Sequence, residues 1–223
     1  MNSVYDPSAG ADAAAQAEMA LRLSTACRIL ATALLDPIGA QLAKHFATHD
    51  LVTQWPLTDA SSKHGVEVLI KAMDEGRGPG SEEAIKRDHL YLFGDAGKPL
   101  ACPYESPYVG RDGLVFDEAT FQVRAWYRKY GFQIGALNRE PDDHLGYELA
   151  FAAILTELIS QNPQAAEVWD DLADFTRNHL SVFGYAVAEG IATHANTDFY
   201  RACAHFLTGA LDTLRNFTCN ERN

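Results

Sequence analysis

"EPDDHLGYEL", residues 140–149, sets a proline before two adjacent aspartates and a histidine, with a glutamate four residues after the histidine. Whether this is a helix start decides the fold. Proline suits a first turn, where its missing N–H would have no partner anyway. Asp142 or Asp143 can accept from the orphan backbone donors there, and carboxylates favour the positive end of the helix dipole. Leu145, Leu149, Ala152 and Leu158 then recur on one face. The spacing predicts a helix over 142–160 with a buried stripe. One aspartate is enough for a cap. Pro141 and Asp142 are therefore expected to start and cap the helix, leaving Asp143 and His144 free to face a groove.

Working outward, helical periodicity dominates and strand-like alternation is nearly absent. Leu21, Ile29, Leu30, Ala33 and Leu34 mark an alanine-rich first helix that Pro37 ends. Ile38, Leu42 and Phe46 suggest a short second helix, and Val66, Leu69, Ile70 and Met73 a longer one after "TQWPL" (53–57). "EGRGPG" (75–80) breaks the pattern, and Ser81 is a good N-cap for "SEEAIKRDHLYLF". Further helices are expected at 117–130, 142–160, 163 to about 175, 178 to about 192 and 197–217, with Thr197 as a cap.

Between 94 and 113 the glycines and prolines of "GDAGKPLACPYESPYVGRDG" exclude a persistent helix. Loops of this length in a compact domain are usually functional or disordered. Its interleaved Leu100, Tyr104, Tyr108 and Val109 predict an ordered loop packed on the body. The "CPYESPY" segment can simply pack over the core, or it can form an aromatic groove wall for a peptide with Glu105 near the rim. The prediction is all-α: a single helical domain over 1–223 of about nine helices with one long structured loop, any subdivision falling near 94–116.

Composition narrows the function. Against 18 Lys and Arg stand 30 Asp and Glu, a net charge of −12, which opposes nucleic acid as the main partner. The four cysteines form no CxxC pair, so free thiols in a reducing compartment are expected. The N-terminus lacks the basic start of a secretory signal, and the longest apolar run, 26–35, is too short and too polar to span a bilayer. A cytoplasmic protein without membrane insertion is expected.

The opening stretch also admits a metal site or an acid/base pair. His144 and Glu148 share a helix face, but HExxH and paired Glu-x-x-His motifs are absent. A general base needs a nucleophile and an oxyanion donor, and neither GxSxG, a P-loop nor GxGxxG occurs. A small helical metalloprotein or hydrolase using the Asp142–Asp143–His144 cluster remains the alternative to a binding protein.

"TQWPL", "LFG" (92–94), "CPYESPY" (102–108), "EPDDHLGYEL" and "FYRA" (199–202), in this order, resemble the TorD/DmsD family of redox-enzyme maturation chaperones, the DmsD branch above all. The resemblance implies an all-helical cytoplasmic protein that is not an enzyme and holds no cofactor or metal. It implies a chaperone that binds the twin-arginine leader and apo form of a molybdopterin oxidoreductase catalytic subunit, of the DMSO or TMAO reductase type, until cofactor insertion is complete. Carried over by position, the leader-binding residues are Leu92, Phe93, Pro103, Tyr104, Asp143 and His144. His89 stands where relatives can have an aromatic residue. Cys102, Tyr104 and Pro107 depart from the usual proline, tryptophan and aliphatic residue. A monomer or a domain-swapped dimer is expected.

The chemistry of such a leader fits. Two guanidinium groups followed by an apolar segment call for fixed carboxylates beside an aromatic groove, because Arg–carboxylate pairs are charge-assisted and can be bidentate. Asp143 is the expected arginine partner, with Asp142 and Glu105 nearby. His144 is expected to hydrogen-bond or stack in a pH-dependent way. Leu92, Phe93 and Tyr104 would meet the apolar part.

Overall fold

Alanine and leucine at helical spacing produce α1 (Pro7–Leu35), whose buried face runs Ala20, Leu23, Cys27, Leu30, Leu34. These alternating steps of three and four match the buried face Leu145, Leu149, Ala152, Thr156, Ile159 on a later helix, residues Leu145–Gln161. Matching stripes let two helices lie side by side over several turns. Ser24 Oγ donates to the Ala153 carbonyl across this contact, at 2.9 Å. Gly146 allows the close approach, since a Cβ there would meet Leu35 Cγ at 2.5 Å.

The computed structural model describes residues 7–36, 44, 46–94, 99–110, 113–135 and 141–219. Among these no strand forms, as predicted, and the helices follow in order. After α1 come α2 (His49–Val52), α3 (Ala60–Asp74), α4 (Glu82–Phe93), α5 (Ser106–Val109), α6 (Glu118–Lys129) and α7 (Leu145–Gln161). Then α8 (Ala166–Phe175) runs through a π-helical turn (Thr176–Leu180) into α9 (Ser181–His194), and α10 (Asp198–Cys219) ends the fold. The helix expected around Ile38 and Leu42 lies outside the described residues.

Several predicted boundaries shift for identifiable reasons. Ser81 caps α4 as expected, accepting from Ala84 N–H at 3.2 Å. Asp59, unanticipated, caps α3 through Ser62 N–H at 2.9 Å. The glycine- and proline-rich loop does contain one helical turn, α5, because Pro107 sits in its first turn where no backbone donor is needed. Pro163 lies outside α8; its carbonyl instead accepts from Trp169 Nε1 at 2.9 Å. The two helices expected at 163–175 and 178–192 are joined, the π turn absorbing the junction.

α10 is the central post. Gly65 lets α3 meet it, because a Cβ there would lie 2.6 Å from Phe206 Cε1. Trp55 of "TQWPL" stacks on Phe206 with ring centroids 3.9 Å apart, and its Nε1 donates to Ser62 Oγ at 3.1 Å. Asp88 ties α4 to the start of α10, accepting from Thr197 N–H at 2.8 Å and Thr197 Oγ1 at 2.7 Å. Tyr200 Oη donates to Ala33 O of α1 at 3.0 Å. Cys27 and Cys203 pack into this core as free thiols, and burial raises both, Cys27 to about 12. They behave as small apolar side chains.

Candidate functional site

The segment before α7 and the long loop are laced together through their backbones. Leu145 N–H donates to Pro103 O at 2.7 Å, and Glu105 N–H donates to Asp143 O at 2.9 Å. Tyr104 and His144 thus face each other as an isolated antiparallel bridge, their rings edge-on at 5.1 Å. The loop also leans on α4, where Ala101 N–H donates to Leu92 O at 2.9 Å.

Asp143 is fully buried, and its carboxylate is spent on the loop. Ser106 N–H and Ser106 Oγ donate to Oδ2 at 2.8 and 2.5 Å, and Thr120 Oγ1 donates to Oδ1 at 2.8 Å. Asp142 is buried too; Arg124 Nε and Nη2 donate to its Oδ2 at 3.0 and 2.5 Å, and Tyr127 Oη donates to its carbonyl at 3.0 Å. Neither aspartate caps α7. His144 does, accepting from Gly146 N–H through Nδ1 at 3.0 Å. This corrects the expectation that Pro141 and Asp142 cap the helix and that Asp143 and His144 stand free: the loop's unsatisfied donors claim the carboxylate, and the ring nitrogen takes the cap. The cap places the proton on Nε2. Burial, and secondarily the nearby His89, lower His144 to about 3, so it is neutral near pH 7 rather than a switch there.

Beside this knot lies a group of acids that the sequence pattern did not flag as a unit. Glu105, 2% exposed, pairs with His179 Nδ1 of the π turn at 2.9 Å. Glu148, fully buried, receives no hydrogen bond on either oxygen from the described residues. Burial, and then the Glu105 and Asp143 carboxyls, hold its acid well above the usual carboxylate range, so Glu148 keeps its proton.

The apolar members complete the cluster. His89 donates from Nε2 to Leu34 O at 3.1 Å and meets Phe93 edge-on at 5.1 Å. Burial also lowers His89, against the pull of Leu34 O and Asp36. Leu92, Phe93 and Pro103 are buried; Tyr104 is half-buried. The structure therefore brings His89, Leu92, Phe93, Pro103, Tyr104, Glu105, Asp142, Asp143 and His144 into one region and closes nearly all of them from solvent. Sequence reasoning missed Ser106, Thr120 and Arg124, which satisfy the aspartates, and His179, which faces Glu105. The one available signal was Glu148 itself, an acid set into the apolar stripe of "LGYELAF".

A family described as nitrate reductase delta subunit matches residues 59–189. The Tat proofreading chaperone DmsD of Salmonella paratyphi A is 33% identical over 163 residues, 73% of this chain and 72% of that protein. The probable Tat proofreading chaperone DmsD of Haemophilus influenzae is 26% identical over 160 residues, 71% of each chain. The chaperone protein TorD of Vibrio parahaemolyticus is 28% identical over 152 residues, 66% of this chain and 70% of that one. These relatives are chaperones rather than enzymes, and no helix among the described residues is long and apolar enough to cross a membrane. On this likeness, joined to the all-helical fold and the Pro103–Glu105 loop laced to Asp143 and His144, the chain belongs to the TorD/DmsD family of chaperones.

Proposed function

We propose that this chaperone acts in the cytoplasm, where it binds the twin-arginine leader and apo form of a molybdopterin oxidoreductase catalytic subunit, of the DMSO or TMAO reductase type, before export. The observation that carries this reading is the match to chaperones named for Tat proofreading over about three quarters of the chain. The geometry supports it in a specific way. The loop 99–110 is held by the Asp143 carboxylate at Ser106 and by backbone bonds that tie it to the start of α7 and to α4, with its Tyr104 edge-on to His144. The buried residues Asp142, Asp143 and His144 set the loop's position, while Leu100, Tyr108 and Val109 are its apolar members that reach the surface and Tyr104 is half-buried. The metalloprotein or hydrolase alternative loses ground here, since all three side chains of its cluster are committed to Arg124, Ser106, Thr120 and Gly146.

A labelled synthetic leader of a DMSO-reductase-type catalytic subunit, titrated by fluorescence anisotropy, tests the reading. Binding is expected, with a loss of at least about tenfold, roughly 1.4 kcal/mol, when both arginines become glutamine. No binding by the wild-type protein, or equal binding of the two peptides, would overturn it.

A further inference from the structure

The π turn that holds His179 against Glu105 has a second face. A cavity of about 600 Å³ opens between this turn, α9 and the end of α10, with Thr176, Arg177, Ser181, Tyr185, Arg215 and Cys219 in its wall. Pockets of this size commonly hold small ligands. π turns are rare and are frequent at functional sites. In a chain of net charge −12, two arginines share this wall, and no carboxylate is among the described residues that line it.

Two hydroxyls of the lining residues lack partners. Thr176 is 1% exposed, and neither its Oγ1 nor Ser181 Oγ makes a hydrogen bond with the described residues. Elsewhere in the helices, Thr25, Thr32, Thr156, Thr208, Thr213 and Thr218 each donate to the carbonyl four residues back. Thr176 forgoes that bond. A buried donor left unpaired costs free energy, so such a group calls for a ligand or a water. The arginines keep donors in reserve as well. Arg177 Nη1 donates to Asp174 Oδ1 at 3.1 Å. Arg215 Nη1 donates to Tyr185 Oη at 3.4 Å, and Tyr185 Oη donates onward to Asp212 Oδ1 at 2.8 Å. Each arginine contact engages one nitrogen of a guanidinium that carries five N–H donors.

We propose that this cavity binds a phosphate group, with Arg177 and Arg215 pairing with its charge and the Thr176 and Ser181 hydroxyls donating to its oxygens. The donor set selects the ligand. Guanidinium forks match phosphate geometry, and their bonds to it are charge-assisted. Donors reach the cavity from the π turn, α9 and α10, and a tetrahedral anion offers oxygens in several directions where a planar carboxylate offers only two. The same chemistry arrives either as inorganic phosphate or on a small phosphomonoester, and the cavity has room for the latter.

Isothermal titration calorimetry of the full chain in chloride buffer, with inorganic phosphate and separately with glycerol phosphate, tests the site. Saturable binding of at least one probe is expected, weakened about tenfold or more by Arg215→Gln and by Thr176→Val. Thr176→Val removes an unpartnered hydroxyl from a buried position. Its melting temperature without ligand should therefore be no lower than that of the wild type, which separates a lost ligand contact from a lost fold. Glycerol phosphate binding tighter than phosphate assigns the site to a phosphomonoester, and equal binding assigns it to the free anion. No binding of either probe, or wild-type affinity in either variant, overturns the proposal and leaves a cavity filled by water.

Discussion

Ser106 gives both of its donors, backbone N–H and hydroxyl, to a single oxygen of Asp143, at 2.8 and 2.5 Å, across 37 residues of sequence. This contact, with Thr120 on the other oxygen, fastens the long loop and α6 to the start of α7. The aspartate of the opening motif is thus an organiser of the surface.

Asp143→Ala removes the acceptor for three buried donors. An unsatisfied buried donor costs about 1–3 kcal/mol, so a loss of at least about 3 kcal/mol in urea unfolding is expected. Asp143→Asn keeps the shape and part of the acceptance, and should fall between. Loss of leader binding in Asp143→Ala should be accompanied by this destabilisation.

Glu148→Gln should stabilise the protein increasingly as pH rises. The folded Glu148 carboxyl is held above its unfolded range by burial and by Glu105 and Asp143. Its contribution is fully present below the unfolded value of about 4.5 and is lost as pH climbs toward the folded value. The neutral amide has no such loss, so the gap between the two unfolding free energies should be near zero at pH 4 and widen at up to about 1.4 kcal/mol per pH unit above it. Parallel melts across pH 4–9 measure this; a gap that stays constant would contradict it.

His144 works in the opposite direction. Its folded value, lowered to about 3, means that the unfolded chain takes up a proton first. Stability from this group is complete above the unfolded value near 6.5 and drains away as pH falls toward 3. His144→Asn keeps a capping oxygen but does not titrate. Relative to wild type, it should therefore gain stability progressively below pH 6.5, read from urea midpoints at stepped pH. His144→Ala, with no cap, should cost about 1 kcal/mol at pH 7.

Gly209→Ala tests the α3–α10 contact. A Cβ at this position would sit 2.4 Å from Asp59 Oδ1 and 2.5 Å from Ser62 Oγ, displacing the cap of α3. Overpacking and a lost cap, about 1–3 and 1 kcal/mol, exceed the gain of at most about 1 kcal/mol from helix propensity. A lower thermal midpoint is expected, measured by circular dichroism.

The helices were legible because their causes are local. Leu30, Ala33 and Leu34 on the buried face of α1, the Ser81 cap and the break at "EGRGPG" each follow from residues within a turn or two, whereas Leu21, expected in the same stripe, is exposed. The nine candidate residues also proved to be neighbours, although the lacing that joins them, Pro103 to Leu145 and Glu105 to Asp143, is carried by backbone atoms with no sequence signature. The burial of Asp143 was not legible, because Ser106 and Thr120 lie 37 and 23 residues away and look like ordinary loop and helix residues. For the same reason the cap of α7 moved to His144.

By itself, then, the sequence determined an all-helical chain with an ordered proline-rich loop, since periodicity, capping and backbone restriction act over a few residues. Only the tertiary structure decided which acids face water. Burial of Asp142 and Asp143 depends on the distant donors Arg124, Ser106 and Thr120, and Glu148 is buried beside the Glu105 and Asp143 carboxyls. Exposure of Asp117 and Glu118 beside Phe121 depends on α6 presenting that face outward. Charge in a protein acts through what surrounds it in space, and that environment is assembled from segments the chain keeps far apart.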